Sequence, residues 1–112
     1  MHAYLGKTVT VTVDRPLGAC HPRYPGLVYP VNYGYLADVI GGDGEGQDAY
    51  ILGVDHPVAT FTGRVIAVIY RTDDVEEKWV VAPEGVDFTR GEIAAMTEFQ
   101  EKYFKSVIEV FS

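Results

Sequence analysis

Six consecutive residues, Asp43-Gly44-Glu45-Gly46-Gln47-Asp48, set three carboxylates on a segment that glycine makes pliable. Glycine accepts the tight backbone turns that would let those carboxylates converge. Converged carboxylates repel one another, and a divalent cation is the usual remedy. The same residues also have the composition of an ordinary solvated hairpin loop, because Asp and Gly are common turn formers. An EF-hand is a poor match: that loop needs Gly at its sixth position and Glu at its twelfth, where this chain has Asp48 and Val54. A second acidic run, Asp73-Asp74-Val75-Glu76-Glu77, leads directly into Lys78. Alone it reads as a solvated strand tip. With Lys78 beside it, it can offer an ammonium to an anion that metals also hold, as phosphoryl-transfer sites do.

The elements that must carry these runs are short. Lys7–Asp14 alternates strictly, with Val9, Val11 and Val13 on one face and threonines on the other, the pattern of a half-buried strand. Arg15–Pro25 is rich in proline and reads as a loop of restricted shape. Leu27–Val31 and Gly34–Ile40 are extended, broken at the Pro30-Val31-Asn32 corner, and Gly41–Gly46 must turn. Ala49–Val54, Gly63–Thr72 and Lys78–Ala82 read as three more strands, the last two joined by the acidic turn at Asp73–Glu77. Thr89 and Glu92 form a capping box, followed by Ile93, Met96, Phe99, Gln100, Tyr103 and Phe104 at helical spacing. Val107–Phe111 is a last short strand. Five or six strands with one helix predict a mainly β chain, a small closed or partly open barrel with the helix packed on it, since closure removes exposed sheet edges. Antiparallel pairing of Ala49–Val54 with Gly63–Thr72 would set Asp48 beside Thr72 and Asp73, bringing both acidic runs to one end of the barrel. Carboxylates, Lys78 and neighbouring phenols together would favour a metal-bound phosphate or polyphosphate.

Composition narrows the partners. The 112 residues suit one domain, 1–112. Sixteen acidic against nine basic residues give a net charge of −7 without a basic cluster, the wrong balance for neutralising nucleic-acid phosphates. The longest apolar run, Val65–Tyr70, falls far short of the ~20 residues of a membrane span. Met1–Val13 alternates where a secretory signal would run apolar, and the single Cys20 allows neither an intramolecular disulfide nor a multi-thiolate zinc site. A cytoplasmic location is the expectation. Ser106 and Ser112 are the only serines, which disfavours a serine nucleophile. His2, His21 and His56 share no metal-ligand spacing and read as surface or loop residues, Cys20 as an unreactive loop thiol, and Trp79 as core or barrel rim.

Tyr29-Pro30-Val31-Asn32-Tyr33-Gly34-Tyr35 has no generic mechanism, and three tyrosines around a corner are compatible with core packing. Followed ten residues after Tyr33 by the Asp43–Asp48 loop, then by Thr72–Pro83 and a helix carrying Phe and Tyr, it resembles the soluble inorganic pyrophosphatases. The resemblance runs from Leu27 to about Phe104 in the family's order and nearly its spacing. It implies a five-stranded OB-like barrel and Mg²⁺-dependent hydrolysis of pyrophosphate, or another small phosphoanhydride, by in-line attack of a metal-bound water. Carried over, Asp43, Asp48 and Asp73 match metal-ligating aspartates, and Glu76 stands where a further one lies. Lys78, Tyr33 and Tyr103 match phosphate-binding residues, with Arg23 as the corresponding arginine and Asp14 for an early-strand acid. Glu45 takes the place of the aspartate that serves as general base, its added methylene moving the carboxylate by ~1.5 Å. Gly46 replaces a proline, Phe104 replaces a lysine that Lys105 follows by one residue, and the acidic turn is shorter. The family's N-terminal Lys-x-Glu pair and C-terminal helix have no counterpart. Two other readings stay open at this point: a non-catalytic relative that binds Mg²⁺ and a phosphorylated ligand, and a small barrel interaction module. Relatives assemble into dimers or hexamers, so a homo-oligomer is a corresponding expectation.

Overall fold

Strict Val/Thr alternation builds the first strand, β1 (Thr8–Arg15), with Val11 fully buried and the threonines facing outward. In the computed structural model, which describes residues 2–74 and 76–111, five more strands and one helix follow. They are β2 (Asn32–Ile40), β3 (Gly46–Ile51), β4 (Thr60–Arg71), β5 (Glu77–Ala82), α1 (Arg90–Glu101) and β6 (Ser106–Val110). Met1, Val75 of the acidic turn and Ser112 lie outside the described residues. The sheet order is β1-β2-β3-β5-β4-β6, and β1 pairs back onto β4. That pairing closes five strands into a barrel, as expected, and leaves β6 as an extra strand along the far half of β4.

One feature departs from the sequence reading. Strand β3 pairs with β5, in parallel, and the antiparallel pairing expected between β3 and β4 does not form. Strand β4 is already used on both edges, by β1 and β6 on one and by β5 on the other. The acidic neighbours of Asp48 are therefore set by β5, with Ala49 opposite Trp79, and not by Thr72 and Asp73. Strand β3 also begins at Gly46, before the expected Ala49, and stops short of Gly53, whose φ of +84° turns the chain. Leu27–Val31 contributes only an isolated bridge between Cys20 and Val28.

Two cores result. The inner one draws Val11, Leu36, Ala49, Ile51, Val65, Val68, Trp79 and Val81 from all five barrel strands and none from the helix. The outer one joins Tyr33, Tyr50, Ile69 and Val80 to Ile93, with Met96 and Phe99 packed against it. A bulge between Val65 and Ala67 lets β4 serve both. Trp79 is an inner-core residue, and the His2 ring lies edge-on to it at 5.4 Å with Nε2 2.7 Å from Glu77, so His2 is less exposed than its sequence position suggests. The capping box forms as expected: the Glu92 N–H donates to the Thr89 hydroxyl at 3.1 Å and the Thr89 N–H to the Glu92 carboxylate at 2.8 Å. Thr89→Ala is expected to cost about 1 kcal/mol, read as a lower urea midpoint at unchanged slope. The helix ends at Glu101, so Tyr103 and Phe104 lie beyond it.

Candidate active site

Side chains alternate across a strand, so Asp48 and Tyr50 of β3, Ile69 and Arg71 of β4, and Lys78 and Val80 of β5 all leave the barrel on the face that α1 covers. The helix covers part of that face. Beyond its C-terminal end a cleft of about 960 Å³ opens, with Tyr33, Asp48, Arg71 and Lys78 among its lining, Asp14 and Arg15 at one side, and Lys102, Tyr103 and Phe104 at another.

Parallel pairing of β3 with β5 brings Asp48 against Lys78. The buried Lys78 ammonium lies 2.5 Å from Asp48 Oδ2 and 3.5 Å from Glu76 Oε2. Asp43 completes the group: carboxylate oxygens of Asp43, Asp48 and Glu76 all lie within 4.8 Å of one another. The Asp43 carboxyl is held below its ordinary range, chiefly by the Glu45 N–H that it accepts at 3.0 Å. Glu76 is pushed above its ordinary range by partial burial, opposed by Lys78 and reinforced by its hydrogen bond to Asp43. Three converging carboxylates repel one another, and because all the donors are oxygens they form a set that a hard divalent cation fits. Mg²⁺ is one such cation.

Behind this group runs a chain of buried hydrogen bonds. Arg71 grips Glu101 with Nε at 3.1 Å and Nη2 at 2.8 Å, and reaches Glu76 with Nη1 at 3.2 Å. Glu101 also accepts from the Tyr50 hydroxyl at 2.6 Å. Gln100 donates to that hydroxyl and accepts from Tyr29, which in turn accepts from Arg15, each at 2.8 Å. Two cations lie near the Tyr33 ring, the Arg15 guanidinium 5.6 Å and the Lys78 ammonium 5.9 Å from its centroid. Burial, then the charge of Asp48, pushes its phenol well above the ordinary range, so it stays protonated and able to donate.

The sequence-derived residues separate accordingly. Asp43, Asp48, Glu76, Lys78 and Tyr33 come together. Tyr103 lines the cleft at its rim, 67% exposed. Glu45 is exposed at the end of the loop, where its carbonyl accepts the Gly41 N–H at 2.7 Å, and it lies outside the converging carboxylates. Asp73 lies apart and accepts the Lys105 N–H at 3.2 Å. Arg23 is exposed in the proline-rich loop, its backbone N–H donating to His21, whereas Arg15 and Arg71 line the cleft. Arg71, Tyr50, Gln100 and Glu101 had no motif to mark them. The available signal for Arg71 was its place between the apolar run Val65–Tyr70 and the acidic turn.

No protein-family model matches this chain, and no curated protein matches it. Solved structures do. The chain superposes on an inorganic pyrophosphatase from Ehrlichia chaffeensis with a TM-score of 0.72 and 18% identity, covering 96% of this chain and 88% of that one. For an inorganic pyrophosphatase from Neisseria gonorrhoeae the values are 0.65, 19%, 96% and 82%. For the enzyme from Thermus thermophilus they are 0.62, 16%, 95% and 81%. The fold of this chain is thus the barrel fold of inorganic pyrophosphatases.

Proposed function

We propose that this chain is a Mg²⁺-dependent inorganic pyrophosphatase, hydrolysing pyrophosphate to two phosphates in the cleft at the end of α1. The observation that carries the reading is the Lys78 ammonium set among the carboxylates of Asp48, Glu76 and Asp43. Carboxylates there suit a cation, and buried ammonium and guanidinium groups beside them suit the anion that the cation would accompany. The shared fold supports the same reading.

In this proposal Asp43, Asp48 and Glu76 hold the cation, and Asp73 lies outside that group. A bound divalent cation supplies Lewis acidity toward phosphate oxygens and lowers the pKa of nearby water. With Asp48 holding a cation, the Lys78 ammonium would be free to donate to phosphate oxygens. Tyr33 donates as a neutral phenol. Arg15, steadied by Tyr29, brings a guanidinium fork to the same anion, and Tyr103 closes the rim. Glu45 is the base that takes the proton of the attacking water; Gly44 beside it, at φ +85° with open space around its Cα, gives the backbone the freedom to bring that carboxylate inward. No helix among the described residues is long and apolar enough to cross a membrane, and a cytoplasmic location belongs to the same proposal.

Phosphate release from pyrophosphate by the purified chain tests this. Turnover that saturates with substrate and stops on chelation is expected. A folded chain that Mg²⁺ and pyrophosphate jointly stabilise without any release would instead be the non-catalytic relative. Arg15→Gln is expected to raise KM roughly 10-fold or more, the worth of one charge-assisted hydrogen bond, while Arg23→Gln leaves KM unchanged. Steady-state kinetics of the two variants side by side decide which arginine binds phosphate.

A further inference from the structure

Arg71 is enclosed on almost every side yet lines the cleft, its side chain 4% exposed. Its guanidinium carbon sits 3.6 Å from the centroid of the Phe104 ring, and Glu101 takes two of its three nitrogens. The fork and the ring fix the plane of the group. The third nitrogen, Nη1, bonds Glu76 Oε2 at 3.2 Å, with Asp74 at 4.0 Å. The guanidinium is thus held by one carboxylate outside the cation cluster and by one within it. Resting on the pyrophosphatase reading, we propose that Arg71 is a substrate-binding residue whose Nη1 passes from Glu76 to a phosphate oxygen when a cation takes Glu76.

Competition for one oxygen drives the exchange. Glu76 Oε2 carries both Arg71 and, at 3.5 Å, Lys78. A divalent cation at that carboxylate weakens both contacts through like-charge repulsion and loss of the acceptor. A guanidinium cannot shed its charge by losing a proton. A buried N–H without a partner is costly, so the freed Nη1 requires an acceptor; Asp74 at 4.0 Å is beyond hydrogen-bond length, and the cleft that Arg71 lines can bring an anion closer. Glu101 and Phe104 keep the group in place meanwhile, so little side-chain freedom is lost in the exchange. Lys78 is freed from Asp48 by the same ion. One cation therefore turns two buried charges toward a single anion, and cation and pyrophosphate strengthen each other's binding.

The test is calorimetric binding of methylenediphosphonate, a non-hydrolysable pyrophosphate analogue, with and without Mg²⁺, beside pyrophosphate kinetics and melting temperature. Arg71→Gln combined with Glu101→Gln removes the buried pair as a unit, because a single change would leave one charge unpaired. The double variant is expected to weaken analogue binding in Mg²⁺ roughly 10- to 100-fold, the range of a hydrogen bond to a charged group. The gain in affinity that Mg²⁺ confers should shrink by a similar factor. Arg71→Lys keeps a charge opposite Glu101 but loses the fork, and is expected to move the same quantities in the same direction should the double variant fail to fold. Unchanged affinity and unchanged Mg²⁺ gain in a folded variant would overturn the role of Arg71 and leave the pyrophosphatase reading intact. A wild-type chain that neither releases phosphate nor binds the analogue would overturn that reading, and this role with it.

Discussion

Asp48→Asn is expected to lower kcat/KM for pyrophosphate by roughly 10³-fold while the chain stays folded. The change keeps the shape of the side chain and removes one charge. It deletes an oxygen ligand from the Asp43, Asp48 and Glu76 group, and it removes the carboxylate at 2.5 Å from the Lys78 ammonium. Loss of a single electrostatic contact to the transition state typically costs about 10²–10³ in kcat, and here the cation and Lys78 are both affected. Lys78 retains Glu76 at 3.5 Å, so its buried charge is not left alone and the fold survives. Binding of an ion to the native state stabilises by mass action, about 2.7 kcal/mol at a hundred times Kd. The melting temperature of the wild type should accordingly climb as Mg²⁺ is titrated, and that of Asp48→Asn should stay flat. A variant that keeps both its rate and its Mg²⁺ response would place the cation at other residues.

Glu101→Leu is expected to destabilise the chain by about 3–5 kcal/mol, the usual consequence of breaking a buried ion pair from one side. Glu101 accepts both Arg71 nitrogens and the Tyr50 hydroxyl. Leucine fills a similar volume but leaves Nε and Nη2 of a guanidinium of 4% exposure without their acceptor, Glu76 holding Nη1 alone, and takes the acceptor from a phenol that burial and Glu101 together keep protonated. Most domains have only about 5–15 kcal/mol of stability in all, so the loss would be a large share of it. Urea unfolding followed by tryptophan fluorescence reads it directly, since Trp79 lies in the inner core. Glu101→Gln, which preserves an acceptor for Tyr50, should fall between. A loss under 1 kcal/mol for the leucine variant would mean that Arg71 finds another partner and that the network does not hold the helix end to the barrel.

Local signals explain which parts of the fold were legible in the sequence. The alternation of β1 and the Thr89–Glu92 box are written within a few residues, and both elements lie where those patterns put them. Strand partnership is not local. Nothing in Ala49–Val54 announces a parallel neighbour, and β3 lies beside β5 because the twelve-residue β4 is taken up on both edges. The site divides on the same line. Asp43, Asp48 and Lys78 belong to compact runs and could be picked out, whereas Arg71 and Glu101 are thirty residues apart and meet only through packing. The place of Arg15 at the cleft depends on a register shift that no local pattern announces: β1 is irregular between Val13 and Arg15, which sets Arg15 opposite Tyr33. Asp73 sits in an acidic run, where composition gave no reason to separate it from Glu76. The structure separates them by giving Asp73 the Lys105 N–H.

The measurement closest to the central claim is phosphorus NMR of the purified chain with Mg²⁺ and pyrophosphate in isotopically labelled water. Hydrolysis by water at this site should replace the pyrophosphate resonance with orthophosphate, one labelled oxygen entering one of each two product molecules, and chelation should halt it. A pyrophosphate resonance that persists unchanged, with the chain folded and Mg²⁺ present, would contradict the assignment of this cleft to pyrophosphate hydrolysis.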